Sequence, residues 1–372
     1  MSARSTVAAM PLIALAAGLS GCASYATVQE ACDSFESIPG EQFITRAEDV
    51  ELITRATCYR RVAGKDRIRV VEPVQRAVEN HRDWLETNAP NPLAIFTESR
   101  GTPGFTGTNA TRRLQETNYA FPANFQLLEV ATFESGEEFA NVLEGAGYID
   151  FWWDVPTMRP AWLQPTIQAA GGTTGDYVQT FPDVDAAVDI PTSFQYWNMV
   201  YAFPAAPYAE PAIEYPVNGQ QDVPPTYTHL TSSTVFEFGR TYGYPVTFTV
   251  GSRENGLTID SAAIIGPEGA VGISVLTGDD ALTFGRLSNT AIVIPDRPLT
   301  AGAEYTASVK ITTDQGTRRA STTFRTGGTA RVVPFDIQTR IAENRPIRMF
   351  ARWDNEEWFA LDGGELPSLN TP

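Results

Sequence analysis

Few side chains in this sequence offer chemistry, and their scarcity is informative. His81 and His229 are the only histidines among 372 residues, so a zinc site built on three imidazoles is excluded. His81 falls on the apolar side of a helical pattern, which predicts a core histidine bonded to backbone. His229 follows a Pro-rich stretch and reads as exposed in a loop. Asp183, Asp185 and Asp189 present oxygen ligands in the manner of a calcium loop. No glycine at the turn and no distal glutamate complete that pattern, so they read as solvated acids. Trp152, Trp153 and Trp162 read as core or cleft walls rather than as a stacking platform for a sugar.

Three cysteines remain, and the first sits at the end of an export signal. Arg4 is the only charge before Cys22, and residues 7–18 are apolar or small. That length suits a signal-peptide core and is too short to span a bilayer. The stretch closes on Leu19-Ser20-Gly21-Cys22, which resembles the bacterial lipobox. The resemblance implies cleavage before Cys22 and lipid on its thiol, with the membrane as a partner. Ala23 follows where an aspartate would resemble an inner-membrane retention signal. The expected location is therefore extracytoplasmic, anchored to the outer membrane of a Gram-negative cell. With Cys22 acylated, Cys32 and Cys58 are left, and export permits them to pair. Cys58 lies off the main apolar face of its predicted helix, where the preceding segment can pack over it.

The balance of 27 basic against 44 acidic residues gives a net charge of −17. Such a chain is a poor partner for nucleic acid or for an anionic lipid surface. Residues 1–21 form the signal peptide, and 22–44 read as a tether. Thr45 and Glu48 fit a capping box that starts a helix with Leu52, Ala56, Tyr59 and Ala63 on one face, ended by Gly64. A second helix is predicted over 71–88, with Val74, Val78, His81 and Leu85 on one side and Trp84 beside them. Residues 101–107 are a loop by their glycines and proline. Ser135 and Glu138 fit another capping box, opening a helix toward Trp152 and Trp153. Residues 193–203 read as a strand. A Pro- and Ala-rich stretch, 203–211, marks a boundary. Beyond it, 246–250 alternates as a half-buried strand does, and similar short runs at 257–265, 271–276, 291–294, 305–311 and 321–324 imply an antiparallel β-sandwich. Residues 328–372 read as a tail in which Asp354-Asn355 turns a hairpin.

Several stretches resemble one family in order. Tyr59-Arg60 with Ala63-Gly64, Asn80-His81 with Trp84-Leu85 and Asn88, Pro103-Gly104-Phe105-Thr106-Gly107, and Pro156-Thr157-Met158-Arg159 with Leu163 and Pro165 resemble successive segments of the CAP superfamily. That superfamily is named for cysteine-rich secretory proteins, antigen 5 and pathogenesis-related proteins, and the likeness is to its bacterial lipoprotein members. Tyr215-Pro216-Val217-Asn218-Gly219 through Pro225 resembles the junction into their β-domain. Gly243-Tyr244-Pro245-Val246 and 298–305 are similar to landmarks of bacterial immunoglobulin-like modules. The expected fold is α+β, a CAP-like α-β-α sandwich over 45–208 followed by an antiparallel immunoglobulin-like β-sandwich over 209–327.

The resemblance implies a cleft holding two histidines, which can bind a divalent metal, and two acidic residues. Here the histidine positions fall at Met158 and near Phe96, and both are apolar. Glu129 matches the first cleft glutamate, and Glu98 is placed near it. The degenerate cleft implies no cofactor and no histidine-based metal. The expected role is a ligand-binding or interaction scaffold taking an apolar or peptide ligand or an envelope protein. The alternative is an extracytoplasmic hydrolase using Glu129 and a second carboxylate as an acid/base pair. The lipobox yields the first prediction. Cys22→Ser leaves unprocessed precursor and abolishes acyl labelling, and a variant cut and labelled like the wild type rejects the anchor.

Overall fold

The computed structural model describes residues 25–90, 95–135, 146–164, 166–181, 188–202, 212–231, 236–251, 256–277, 289–328, 347–353 and 359–360. Cys22, Asp183, Asp185, the 203–211 boundary and the Asp354-Asn355 turn lie outside them. Among the described residues six α-helices lie in the first half: α1 (Val28–Asp33), α2 (Ala47–Val62), α3 (Glu72–Asn88), α4 (Ala110–Glu116), α5 (Ala146–Asp154) and α6 (Arg159–Leu163). Three long strands accompany them: β1 (Phe125–Ser135), β2 (Ile167–Phe181) and β3 (Val188–Ala202). The second half is strands: β4 (Ile213–Tyr215), β5 (Thr226–Thr228), β6 (Thr241–Gly243), β7 (Val246–Thr249), β8 (Thr258–Gly266), β9 (Gly269–Ala270), β10 (Ile273–Leu276), β11 (Thr290–Pro295), β12 (Glu304–Thr313), β13 (Gly316–Arg325), β14 (Arg348–Trp353) and β15 (Phe359–Ala360). The mixed α+β class follows directly. No described helix is long and apolar enough to cross a membrane.

The first sheet runs β15-β14-β1-β3-β2, antiparallel throughout. Period-two alternation divides its side chains between two helical layers. Leu127 and Ala131 of β1, with Phe194, Tyr196 and Val200 of β3, meet Val74, Ala77, Val78, Trp84 and Leu85 of α3 and Leu114 of α4. Leu128 and Val130, with Trp197, Met199 and Tyr201, meet α2, α5 and α6 on the other side. Two four-stranded sheets, β10-β11-β7-β4 and β13-β12-β8-β9, pack together in the second half. Along β12 burial alternates, which puts Tyr305, Ala307, Val309 and Ile311 inside.

Several expectations need correction. Residues 25–44 are docked rather than a tether. Thr27 and Glu30 form a capping box on α1, Ala31 and Ile38 are buried, and Phe35, Phe43 and Ile44 pack on the core. Six helical residues are too few to display a period. The Thr45–Glu48 box is absent: α2 begins after Arg46 without a side-chain cap, and the Thr45 N–H is donated to Glu79 instead (3.0 Å). The predicted face of that helix is buried at Leu52, Ala56, Tyr59 and Ala63, and Gly64 closes it at φ +66°. Ser135 ends β1 instead of opening a helix, while Glu138 lies outside the described residues. β7 is buried at all four positions rather than half-buried. It is central in its sheet, and α6 lies against it. His229 is buried, not exposed, between Tyr227 Oη (2.6 Å) and Thr231 Oγ1 (3.2 Å), stacked on Phe236. Burial lowers its pKa to about 3.

The largest correction concerns the C-terminal segment. β14 pairs with β1 in register from Leu128↔Trp353 to Phe133↔Arg348, and β15 pairs with β14. The chain therefore returns, after the β-sandwich, to complete its first sheet. The segment reads as a tail in sequence, yet Met349-Phe350-Ala351 and Trp353 supply strand formers.

Cys32 and Cys58 are bonded, with Cα atoms 5.0 Å apart, and tie α1 to α2. Closing a loop of 26 residues stabilises by about 3 kcal/mol in the chain-entropy picture. A Cys32→Ser/Cys58→Ser double variant is expected to lose roughly that amount in denaturant unfolding. Two reactive thiols in denatured, unreduced mature protein would reject the pairing.

Candidate functional site

The charged network between α3, α4 and the first sheet is the strongest candidate site. Its centre is Glu129, the one charge in Leu127-Leu128-Glu129-Val130. Strand alternation points it to the α3/α4 side, where it is 2% exposed. In register it lies opposite Asn198 on β3 and Arg352 on β14.

Each neighbour arrives by a local cause. Asn109 caps α4, its Oδ1 accepting from the Arg112 N–H (2.9 Å), and so fixes the turn that carries Arg113. The Arg113 guanidinium is fully buried and donates to Glu129 Oε1. It also donates to Tyr196 Oη (2.8 Å) and to the carbonyls of Phe96 (3.4 Å) and Gly107 (3.3 Å). A Cβ at residue 107 would sit 2.8 Å from the Arg113 backbone nitrogen, so only glycine lets the loop close on α4. That loop wraps Glu98, whose carboxylate accepts N–H groups of Thr106 and Gly107 (3.0 Å) and the Thr106 hydroxyl. His81 Nδ1 lies 2.9 Å from Glu98 Oε1, and its Nε2 lies 2.7 Å from the Ile95 carbonyl. From β14, Arg352 Nε donates to Glu129 Oε2 (2.7 Å), with Nη2 shared between that oxygen and the Phe96 carbonyl. Its guanidinium lies over the Phe96 ring, 5.4 Å from the centroid.

The charges are mutually adjusted. Burial alone would raise the Glu129 pKa, but Arg113 and then Arg352 overcome it, and the carboxyl is held below its ordinary value. Glu98 is likewise lowered: His81, Arg113 and the Thr106 N–H outweigh burial. Burial first, and Arg113 second, lower His81 and keep its ring neutral. Burial pushes the Tyr196 phenol well above its ordinary range, so it stays a donor, and it bonds Glu129.

The structure thus joins Glu98 and Glu129 through Arg113 without facing them across an open cleft. His81 is a core histidine with backbone on one nitrogen, as its helical position predicts, and a carboxylate on the other. Phe96 serves the network through its carbonyl and ring. Met158 is not part of it: it caps the start of α6 and is fully buried in the apolar cluster on the other side of the sheet. The two expected histidine positions are therefore not brought together. Neither a thioether in that core nor a phenyl ring can serve a hard or borderline divalent ion, and the carboxylates are engaged, Glu129 by two arginines and Glu98 by loop N–H groups and His81. Among the described residues no group of three or more metal-ligating side chains occurs. The residues do not fit the metal that the resemblance implies.

Sequence reasoning missed Arg113, Tyr196, Asn198 and Arg352. A signal existed for one of them, Arg352. A lone acid in one apolar strand and a lone arginine in another, Phe350-Ala351-Arg352-Trp353, are complementary. No protein-family model matches the chain, and no curated protein matches it.

Glu129→Leu is expected to leave two buried guanidinium groups without their counter-charge and to cost about 3–5 kcal/mol in denaturant unfolding. Met158→Leu, a volume-conserving change in an apolar site, should cost less than about 1.5 kcal/mol. Equal effects from the two substitutions would mean that the network does not hold the fold.

Proposed function

We propose that this chain is a cell-envelope lipoprotein acting as a non-catalytic binding or interaction scaffold, with a degenerate CAP-like domain and an immunoglobulin-like β-sandwich. Lipid on Cys22 anchors it to the outer membrane, and its ligand is apolar or peptide-like, or an envelope protein. One observation carries the non-catalytic part. Both candidate acids are buried and already engaged, Glu129 by ion pairs to Arg113 and Arg352 and Glu98 by hydrogen bonds from loop N–H groups and contact with His81. A general acid or base must reach a substrate proton and must exchange its own with it. Glu129 and Glu98 are 2% and 1% exposed, and lowered pKa values hold both ionised.

The hydrolase alternative draws on one fact, the gathering of His81, Glu98, Glu129 and Tyr196 in a single cluster. Such a set is needed for acid/base work but is insufficient without access. The test uses mature protein, with and without zinc, against ester, peptide and glycoside substrates. The expected result is no turnover that Glu129→Gln or Glu98→Gln abolishes in folded protein. Calorimetric titration with zinc is expected to show no stoichiometric sub-micromolar binding. Such binding, lost in His81→Ala, would replace the scaffold with a metal-dependent reading.

A further inference from the structure

The network holds three basic groups and two acids, and that imbalance has a consequence for the C-terminal strand. A neutral imidazole carries one N–H, yet both His81 nitrogens face acceptors, Glu98 Oε1 at 2.9 Å and the Ile95 carbonyl at 2.7 Å. The neutral ring satisfies one contact and leaves its other nitrogen facing an oxygen, so the site invites a second proton without requiring it. Protonated His81 and Arg113 would balance Glu98 and Glu129 without help. Arg113 and Arg352 balance them equally well with His81 neutral. All three cations together leave one uncompensated positive charge in the interior, which is costly there.

The groups around His81 allow no other relief. Glu98 and the Ile95 carbonyl face it from the 95–98 turn, and the Tyr196 ring faces it from β3 at 4.6 Å. Trp84 stacks on it from its own helix at 6.0 Å, Arg113 acts on it from α4, and the charge of Glu129 on β1 is coupled to it. No further described acid contacts it.

One of the two arginines is easier to remove. Arg113 is fully enclosed on α4 and also bonds two carbonyls and Tyr196. The Arg352 side chain is 10% exposed. It rides on β14, which pairs with β1 on one side and, among the described residues, with two residues of β15 on the other. Ile347, just before β14, is held separately by its N–H to the Leu230 carbonyl (2.8 Å) and stays as the anchor.

We propose that protonation of His81 and docking of Arg352 exclude one another, so that acidification releases β14 from the edge of β1. At neutral pH the imidazole is neutral and the strand is docked. As pH falls the imidazole gains its proton, Glu98 keeps it, and Arg352 becomes the surplus cation. What acidification uncovers is the β1 edge from Leu128 to Phe133, open to another strand. The inference stands apart from the scaffold reading, since it concerns the fold's own strand.

Linkage makes the test reciprocal. In the full chain, the imidazole signals of His81 and His229 are followed by NMR through acid titration. Removing the competing cation in Arg352→Gln is expected to raise the His81 midpoint by about one unit or more. His229, which contacts none of the charged groups of the network and is held to about 3 by burial, should not move. In the wild type, amide protection of β14, corrected for intrinsic exchange, should fall by roughly tenfold or more between about pH 7.5 and about pH 5.5, and in His81→Gln it should stay flat. An unchanged His81 midpoint in Arg352→Gln overturns the proposal. So does β14 protection that ignores pH, or that falls equally in His81→Gln. Each comparison decides alone, so failure of one variant to fold leaves the other to judge.

Discussion

Burying the Glu129 carboxylate constrains the whole first sheet. An ionised carboxylate taken out of water costs several kcal/mol unless charge and hydrogen bonds replace its hydration. Here the replacement comes from three directions: Arg113 from α4, Tyr196 from β3 and Arg352 from β14. Each donor places a demand on its own element. Arg113 requires the Asn109 cap and the close approach of Gly107. Arg352 requires the chain to return from the β-sandwich and add a strand in one register, because a slip of a single residue would turn the guanidinium to the opposite face. A local electrostatic need at residue 129 thus helps to fix the topology of residues 348–353.

A second rivet joins the two halves. Arg159, fully buried at the start of α6, donates to the Trp153 carbonyl and to the Pro245 carbonyl across the junction. Its guanidinium lies 5.1 Å from the Tyr215 ring centroid and 4.6 Å from that of Tyr244. Trp153 stacks on Tyr59 at 4.5 Å and meets Tyr215 edge-on. One apolar cluster consequently runs from α2 through α5 and α6 into the β-sandwich. This packing explains why β7 is buried on both faces where its sequence alternates. Threonine tolerates the inward positions because its hydroxyl finds partners: Thr247 bonds the Tyr215 carbonyl and Thr249 pairs with Thr290.

What was legible in the sequence follows from where the information lies. Helices α2 and α3 declare themselves by apolar spacing over four turns or more, and the loop 101–107 by its glycines. Glu98 and Glu129 were found together, although the reason for their meeting was not. α1 is too short for a period, and its capping box was the available sign. His229 looked exposed because prolines precede it, yet Tyr227 and Thr231 at i±2 satisfy its ring from its own segment. The role of Arg352 depends on pairing 223 residues away in sequence, and no local pattern encodes that. Period-two alternation tells which face a residue takes, but not which strand will lie beside it.

The two faces of β1 and β3 both bury polar groups, but one of them gathers charge. On the α3/α4 face the carboxylates are engaged, while Arg113 Nε, Asn198 Nδ2 and the Tyr177 hydroxyl are buried without a hydrogen-bond partner. On the α5/α6 face the Gln195 amide and the Nε1 atoms of Trp162 and Trp197 are buried without a hydrogen-bond partner. Each unmet group of that kind costs about 1–3 kcal/mol. The engaged face contributes to offsetting this cost, with Glu129 held by two arginines and Tyr196. A substrate seeking Glu129 would have to displace an arginine that forks onto it and a phenol that bonds it. The same displacement is available to the chain itself through a proton on His81, because that proton replaces the charge Arg352 brings.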